Sequence, residues 1–295
     1  MYDVIIIGAG PAGISASLYI KRGNYSPLVL YNDKSGLMES TKIENYYGFE
    51  NGIDGKALYE NGIKQAKNIG IDIKKEEVVK IESNEDGYIV TTLDNKYNAK
   101  VVILATGNKR NTPNIKGIKD FEGKGISYCA ICDGFFYKNK NVVVIGSGNY
   151  AISETNDLIN ITNQVTILTN GEKAPEVRAE NVKINTNEIK QIIGNNKVEE
   201  IEFSDNTRLK TDGIFIAEGT AGTLEFSKKL GIVTKGNKIV VNDKMQTNIP
   251  GIYACGDCTE GLLQISKAVY QGAVAGLEAI KYMKTQVRKG GNLWV

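Results

Sequence analysis

Two wholly apolar runs of four residues each lead into a glycine-rich turn and then a stretch of mixed polarity. Residues 4–7 precede the turn at 8–13, and residues 142–145 precede the turn at 146–151, an offset of 138 positions. Short apolar runs bounded by turns are typical of strands buried in a parallel sheet. The repeat therefore predicts an α/β fold with two Rossmann-like dinucleotide-binding domains, the second inserted in the first.

The first turn has the G-x-G-x-x-G spacing of a dinucleotide-binding unit. Gly8 and Gly10 let the backbone approach a pyrophosphate, and Gly13 lets the following helix pack on the strand. The next apolar run ends at Tyr31 and Asn32, where an acidic residue often holds the adenosine ribose. We predict a dinucleotide site here without that carboxylate.

Periodicity and turn residues predict the remaining elements. A helix is expected at 55–69, and alternating polarity within 77–93 is typical of antiparallel strands. A buried strand at 101–104 runs into an Ala-Thr-Gly turn, and Pro113 marks a crossing between domains. The expected domains are a discontinuous FAD-type domain of residues 1–114 and 243–295, and a second, NADPH-type domain of residues 115–242.

Composition narrows the function classes. The 295 residues include 36 Lys and Arg against 34 Asp and Glu, and the net charge of +2 argues against a nucleic-acid surface. The apolar run at 4–7 is too short for a membrane span and follows no basic stretch, so we expect neither signal peptide nor membrane anchor and predict a cytoplasmic location. Because there is no histidine, proton transfer must fall to Asp, Glu, Lys, Tyr or Cys.

A C-x-x-C pair is the main candidate for chemistry. Cys129 and Cys132 are spaced to share one face of a first helical turn, where they can close a disulfide and where unpaired N–H groups favour a thiolate. Asp133 is placed to gain and lose the proton that thiol–disulfide exchange requires. The alternative is a four-cysteine zinc site with Cys255 and Cys258 as its second half.

Six motifs in order along the chain resemble those of the low-molecular-weight, bacterial-type thioredoxin reductase family. They are residues 8–13, 44–48, 105–107, 129–137, 146–151 and 256–257. The resemblance implies FAD in the first domain, a redox-active disulfide between Cys129 and Cys132, Asp133 as acid–base residue, thioredoxin as partner, and a homodimer.

A flavin site is expected to draw on both ends of the chain. Asp257 can accept hydrogen bonds from ribityl hydroxyls, with a simple helix cap as the alternative, and a helix expected at 262–283 would direct its N-terminus at the flavin near Gln264 and Ile265. The predicted cofactor-binding residues are Gly8, Gly10, Pro11, Ala12, Gly13, Tyr31, Asn32, Gly36, Asn45, Val78, Ala105, Thr106, Gly107, Gly256, Asp257, Gln264 and Ile265.

Departures from the family pattern concern the electron donor. Ordinary members carry a basic H-R-R-x-x-x-R stretch where this chain has residues 168–174, and Leu37 and Leu263 replace a glutamine and an arginine. This combination is similar to the ferredoxin-dependent flavin thioredoxin reductases. We therefore predict a flavin disulfide reductase that takes electrons from reduced ferredoxin, passes them to thioredoxin, and holds no metal.

Several alternatives stay open at this point. A flavin-dependent dithiol oxidase, a reductase binding NAD(P)H through an atypical site, and a flavin-bound redox sensor would each carry similar motifs. Cys255 and Cys258 are either buried small residues or a second redox pair. The tail at 285–295, with Trp294, either folds over the flavin or the partner subunit, or is a disordered end.

Overall fold

The computed structural model describes residues 2–32, 35–107, 113–128, 130–177, 179–218 and 223–290. The chain forms two compact units, one of Met1–Lys109 with Gly222–Val295 and one of Arg110–Ala221. The chain thus re-enters the first unit at residue 222, whereas the sequence analysis expected it to do so at residue 243.

The first unit opens with alternating strands and helices. In chain order its elements are β1 (Tyr2–Ile7), α1 (Pro11–Arg22), β2 (Pro27–Tyr31), α2 (Gly55–Asn68), β3 (Asp72–Lys75), β4 (Val78–Asn84), β5 (Gly87–Thr92) and β6 (Lys96–Leu104). β1 lies parallel between β2 and β6, and β3 pairs parallel with β2. β4, β5 and the beginning of β6 form an antiparallel meander, as the alternating polarity predicts.

The second unit repeats the strand-turn-helix start. Its elements are β7 (Ile126–Ser127), α3 (Ala130–Asp133), β8 (Asn141–Ile145), α4 (Asn149–Leu158), β9 (Gln164–Leu168), β10 (Val182–Asn185), β11 (Ile189–Gly194), β12 (Val198–Phe203), β13 (Arg208–Lys210) and β14 (Gly213–Ile216). A parallel sheet has the order β10-β9-β8-β14-β7, and β11-β12-β13 form a separate antiparallel sheet. The predicted α/β class with two Rossmann-like folds is confirmed.

The chain then returns to the first unit. Its last elements are α5 (Thr223–Leu230), β15 (Thr234–Lys235), β16 (Lys238–Ile239), β17 (Ile252–Ala254) and α6 (Ile265–Gly290). β17 adds to the first sheet parallel to β6. Because α5 contacts β4 and β16, and Ile239 bridges to Thr259, residues 223–242 belong to the first unit rather than the second.

α1 and α6 pack closely because two glycines line their contact. A Cβ on Gly272 would lie 2.1 Å from the Ala12 carbonyl oxygen, and one on Gly276 would lie 2.8 Å from that of Ala16. Both helices contribute to the buried core around β1. α6 extends to Gly290, past the expected end at 283, and Trp294 lies outside the described residues. In the described part of the chain, no helix has both the length and the apolar character that crossing a membrane requires.

Candidate active site

The carboxyl ends of four parallel strands meet at one edge of the first sheet. The register pairs Ile7 with Leu30 and Leu104, and Leu104 with Ala254. Open parallel sheets bind their ligands at this edge. The predicted site residues that follow these strand ends, and are therefore brought together, are Gly8, Gly10, Tyr31, Asn32, Ala105, Thr106, Gly107, Gly256 and Asp257.

The turn between β1 and α1 leaves space at the start of the helix. Gly8 has φ +115°, and a Cβ there would lie 2.3 Å from the Ala105 carbonyl oxygen, so only glycine fits. A Cβ on Gly13 would lie 1.9 Å from the Gly8 carbonyl oxygen, so α1 packs directly on the turn. Around Gly10 no heavy atom of the described residues lies within 4 Å of the Cβ position, and no side chain caps α1. An uncapped helix start facing open space suits a pyrophosphate.

Asp257 presents a buried acceptor in the helical turn Gly256–Cys258. Its Oδ1 has no hydrogen-bond partner among the described residues. Leaving such an atom unpaired costs about 1–3 kcal/mol, so a hydroxyl-bearing ligand fits here. The alternative, a cap of α6, is wrong because α6 begins only at Ile265.

Side chains from α6 hold this turn in place. Lys267 Nζ donates to the Gly256 and Thr259 carbonyl oxygens at 3.0 and 3.3 Å, and the Gly256 N–H donates to Gln271 Oε1 at 2.9 Å. Partial burial lowers the pKa of Lys267, while nearby Asp257 opposes that shift. The sequence did not single out Lys267, because its role depends on contacts with carbonyl groups 8 and 11 positions away.

Two predicted site residues far apart in sequence meet at the start of α6. Asn45 Nδ2 donates to Gln264 Oε1 at 3.1 Å across 219 positions, and Ile265 is the first residue of the helix. Two further predicted site residues, Gly36 and Val78, are each the first residue of a secondary-structure element. Gly36 begins the 3-10 helix Gly36–Glu39, and Val78 begins β4 as a buried residue.

The second unit carries the cysteine segment. Cys132 lies exposed on α3 and is disulfide-bonded, whereas Cys129, its expected partner, lies outside the described residues. Asp133 Oδ2 accepts a hydrogen bond of 2.6 Å from Ser127 Oγ. The carboxylate is therefore held one residue from the disulfide, where proton transfer to or from a sulfur is possible.

Large apolar side chains beside the disulfide are exposed. Phe135 and Phe136 are 74% and 71% exposed, and Ile131 is 48% exposed. Exposed apolar patches of this kind mark interaction sites. Sequence reasoning missed this surface because adjacent phenylalanines are more often core residues, and only the structure shows which way they face.

The second glycine turn repeats the geometry of the first but lies near carboxylates. Gly146 has φ +151°, and a Cβ there would lie 2.2 Å from the Ala217 carbonyl oxygen. The turn after β9 closes on itself, since Thr169 Oγ1 donates to the Glu172 carbonyl oxygen at 2.7 Å. Partial burial, and then the charge of Glu172, raise the pKa of Glu218 just after β14. The strand ends thus place acidic groups where a 2′-phosphate would need cations.

Cys255 and Cys258 are free and fully buried. Burial raises the pKa of Cys255 well above its ordinary value and that of Cys258 to about 11. Protonated, inaccessible thiols are poor nucleophiles and poor metal ligands, which favours buried small residues over a second redox pair. Across the residues that the structure describes, no three Cys, Asp or Glu side chains form a metal-binding cluster.

Comparisons with known proteins agree with this geometry. The family model for pyridine nucleotide-disulphide oxidoreductases matches residues 2–272. A thioredoxin reductase of Aquifex aeolicus is 34% identical, over 96% of this chain and 94% of that protein. The crystal structure of the atypical thioredoxin reductase TRi from Desulfovibrio vulgaris Hildenborough has a TM-score of 0.90 at 36% identity, covering 97% of this chain and 99% of that one. A ferredoxin-flavin thioredoxin reductase from Clostridium acetobutylicum has a TM-score of 0.72 at 34% identity, covering 96% and 98%.

FAD is the cofactor of this chain. The open space at the start of α1, and Asp257 Oδ1 without a hydrogen-bond partner among the described residues, fit a dinucleotide that carries a polyhydroxyl chain. On the match over residues 2–272 and the likeness over nearly its whole length, the chain belongs to the pyridine nucleotide-disulphide oxidoreductase family.

Proposed function

We propose that the chain is a thioredoxin reductase that uses FAD and the Cys129–Cys132 disulfide to reduce thioredoxin. The observation that carries this proposal is the exposed, disulfide-bonded Cys132 beside exposed Phe135 and Phe136. A small dithiol substrate needs no such surface, whereas a protein disulfide needs an apolar surface on which to dock. The thioredoxin reductases among the relatives support the same substrate.

The exchange chemistry assigns roles to the chain's own residues. In the reduced enzyme, one thiolate attacks a sulfur of the thioredoxin disulfide, forming a mixed disulfide and releasing a thioredoxin thiolate that takes a proton. The second cysteine then attacks the mixed disulfide, which restores the Cys129–Cys132 bond and frees the second thioredoxin thiol. Asp133, held by Ser127, takes and returns the protons.

When bound, FAD would accept electrons one at a time from a one-electron donor and pass two electrons to the disulfide. We assign its pyrophosphate to the start of α1, its ribityl hydroxyls to Asp257, and its ring edge to Gln264 and Ile265. In this assignment the unit of 1–109 and 222–295 is the FAD-binding domain, and the unit of 110–221 is the cysteine-bearing domain.

We assign reduced ferredoxin, rather than NADPH, as the electron donor. Residues 168–174 contain no arginine and a single lysine, Lys173, and Glu172 and Glu218 lie near each other at the strand ends of the second unit. Arg178 lies outside the described residues. Each charged hydrogen bond to a phosphate contributes about 1.5–3 kcal/mol, so the loss of two or three weakens binding by orders of magnitude. The structural neighbour from Clostridium acetobutylicum is a ferredoxin-flavin enzyme by name, which supports the assignment.

The redox energetics favour this direction of electron flow. A ferredoxin near about −400 mV and a thioredoxin near about −270 mV differ by about 130 mV. Over two electrons that difference is about 6 kcal/mol downhill.

The decisive experiment is anaerobic reduction of the holoenzyme by alternative donors. We expect photoreduced ferredoxin to bleach the flavin absorbance and to support thioredoxin reduction, and micromolar NADPH or NADH to do neither. Bleaching by micromolar NADPH would overturn the donor assignment. If dithionite-reduced enzyme fails to reduce thioredoxin, or if a small dithiol drives oxygen uptake, the reductase assignment itself is wrong.

We also propose that the enzyme is a homodimer. Tyr270 and Leu277 are 64% and 46% exposed, and their spacing of seven residues places them on one face of α6. Tyr19 of the adjoining α1 is also exposed. A two-fold axis would let the same apolar face of a second copy cover this one.

A further inference from the structure

Two side chains of α4 hold the backbone on either side of Cys129. Tyr150 Oη donates to the Tyr128 carbonyl oxygen at 3.1 Å, and the Ala130 N–H donates to Glu154 Oε2 at 2.6 Å. Tyr150 and Glu154 are four residues apart on one helix and therefore share a face. The helix that follows the second glycine turn is thus bonded directly to the cysteine segment.

The Glu154 carboxyl lies in an unusual environment. Its side chain is completely buried, and Tyr150 is 2% exposed. Burying a carboxylate is costly unless hydrogen bonds compensate it. One compensating donor is the Ala130 N–H, one of the groups that the start of α3 leaves unpaired within the helix.

Reduction of the disulfide leaves a thiol or a thiolate on Cys132, two residues after Ala130 on α3. Breaking the S–S bond takes two electrons and yields either two thiols, with two protons, or one thiol and one thiolate, with one proton. A helix start normally favours the thiolate. A carboxylate already bonded to this N–H opposes a second negative charge nearby.

We propose that Glu154 is a positioning residue for the redox-active cysteine segment and that its buried carboxylate restrains ionisation of the reduced thiols. Tyr150 shares the positioning role without the charge. This inference rests on the proposed redox role of the Cys129–Cys132 pair, but it needs no assumption about the electron donor.

Other ionisable groups near α4 also influence the ionisation of the reduced thiols, and they are the same in the wild type and in the Glu154 variants. α3 contributes Cys132 and Asp133, the segment before it contributes Tyr128, and the turn after it contributes Tyr137. α4 itself also carries Tyr150 and Asp157, while β8 and β9, which pack against it, contain no ionisable side chain.

The test compares variants that separate charge from hydrogen bonding. Glu154→Gln keeps an oxygen that accepts from Ala130 N–H but removes the charge, and Glu154→Ala removes both. Glu180→Gln, at an exposed position of the same unit, is the matched control. The reduced holoenzymes are alkylated with iodoacetamide across a pH series, and modification of Cys129 and Cys132 is followed by mass spectrometry.

We expect Glu154→Gln to move the midpoint of the alkylation profile about one pH unit lower, about a tenfold faster reaction below the midpoint. Glu180→Gln should match the wild type. A Glu154→Gln profile that coincides with the wild type, or moves to higher pH, would overturn the electrostatic role.

Amide hydrogen exchange tests the positioning role separately. Glu154→Ala and Tyr150→Phe should speed exchange in the cysteine segment, and Glu154→Gln should retain more protection than Glu154→Ala. Unchanged exchange in both Glu154→Ala and Tyr150→Phe would show that neither side chain positions the segment. Retention of FAD absorbance in each variant verifies that the protein is folded.

Discussion

Ser127 Oγ donates a 2.6 Å hydrogen bond to Asp133 Oδ2, so the residues that bracket the C-x-x-C segment are joined to each other. The bond orients the carboxylate before any substrate arrives. Burial, and then the charge of Asp133, raise the pKa of the neighbouring Tyr137. Asp133 is therefore the group in this segment best placed to move protons.

Replacement of Asp133 should slow thiol–disulfide exchange. We expect Asp133→Asn to lower the rate at which pre-reduced enzyme reduces thioredoxin by about 10²- to 10⁴-fold, the usual range for losing a general acid–base group. Ser127→Ala should have a smaller effect, because it removes the orienting bond and leaves the carboxylate. Stopped-flow measurement of thioredoxin reduction checks this, with flavin absorbance as the folding control. An Asp133→Asn rate within about twofold of the wild type would contradict the assigned role.

The apolar surface beside the disulfide should matter for protein substrates only. Phe135→Ala combined with Phe136→Ala should raise KM for thioredoxin at least about tenfold, since exposed aromatic anchors contribute heavily to docking. Reaction of the reduced enzyme with a small aromatic disulfide should be nearly unchanged. Tyr47→Ala, at a 98% exposed aromatic position in the other unit, is the control. Equal losses toward both disulfides would argue against a docking surface.

Local sequence signals predicted most of the strands and helices and the residues at the strand ends, but not the contacts between residues far apart in sequence. Both glycine turns, the meander and the strand ends follow from periodicity and turn chemistry, because these depend on neighbouring residues. The assignment of 223–242 to the first unit does not, since it depends on α5 packing against β4. The link between Glu154 and Ala130 was equally inaccessible, because a glutamate in a helix is usually solvent-exposed.

Asp257 should contribute strongly to FAD affinity. Asp257→Ala removes a buried acceptor that has no partner in the described protein, so we expect FAD to bind about tenfold or more weakly, in line with 1.5–3 kcal/mol for a charged hydrogen bond. Asp257→Asn keeps one acceptor oxygen and should lose less. Titration of apoprotein with FAD, followed by flavin fluorescence, measures both, and Glu60→Ala on exposed α2 is the control. Wild-type affinity in Asp257→Ala would exclude this residue from the site.

The exposed face of α6 should govern assembly. Tyr270→Glu combined with Leu277→Glu places two charges on the proposed two-fold interface, so the species in solution should fall from twice 32.2 kDa to 32.2 kDa. Light scattering coupled to size exclusion measures the mass. Lys64→Glu, on the exposed side of α2, changes charge without touching this face. A wild-type monomer, or a double variant that stays dimeric, would refute the proposed interface.

The buried thiol of Cys258 should make stability fall at alkaline pH. Its folded pKa of about 11 lies above the ordinary value of 9.0, so the folded protein keeps a proton that the unfolded chain loses between these values. The contribution of this thiol to the free energy of unfolding is therefore fully present below pH 9. It is lost as the pH rises through 11, which lowers the free energy of unfolding by up to about 2–3 kcal/mol. Urea unfolding of wild type and Cys258→Ala at pH 8 and pH 10.5 isolates this contribution, since other titrating groups are common to both. The wild type should lose more stability over this interval, and equal losses would show that the thiol does not resist ionisation.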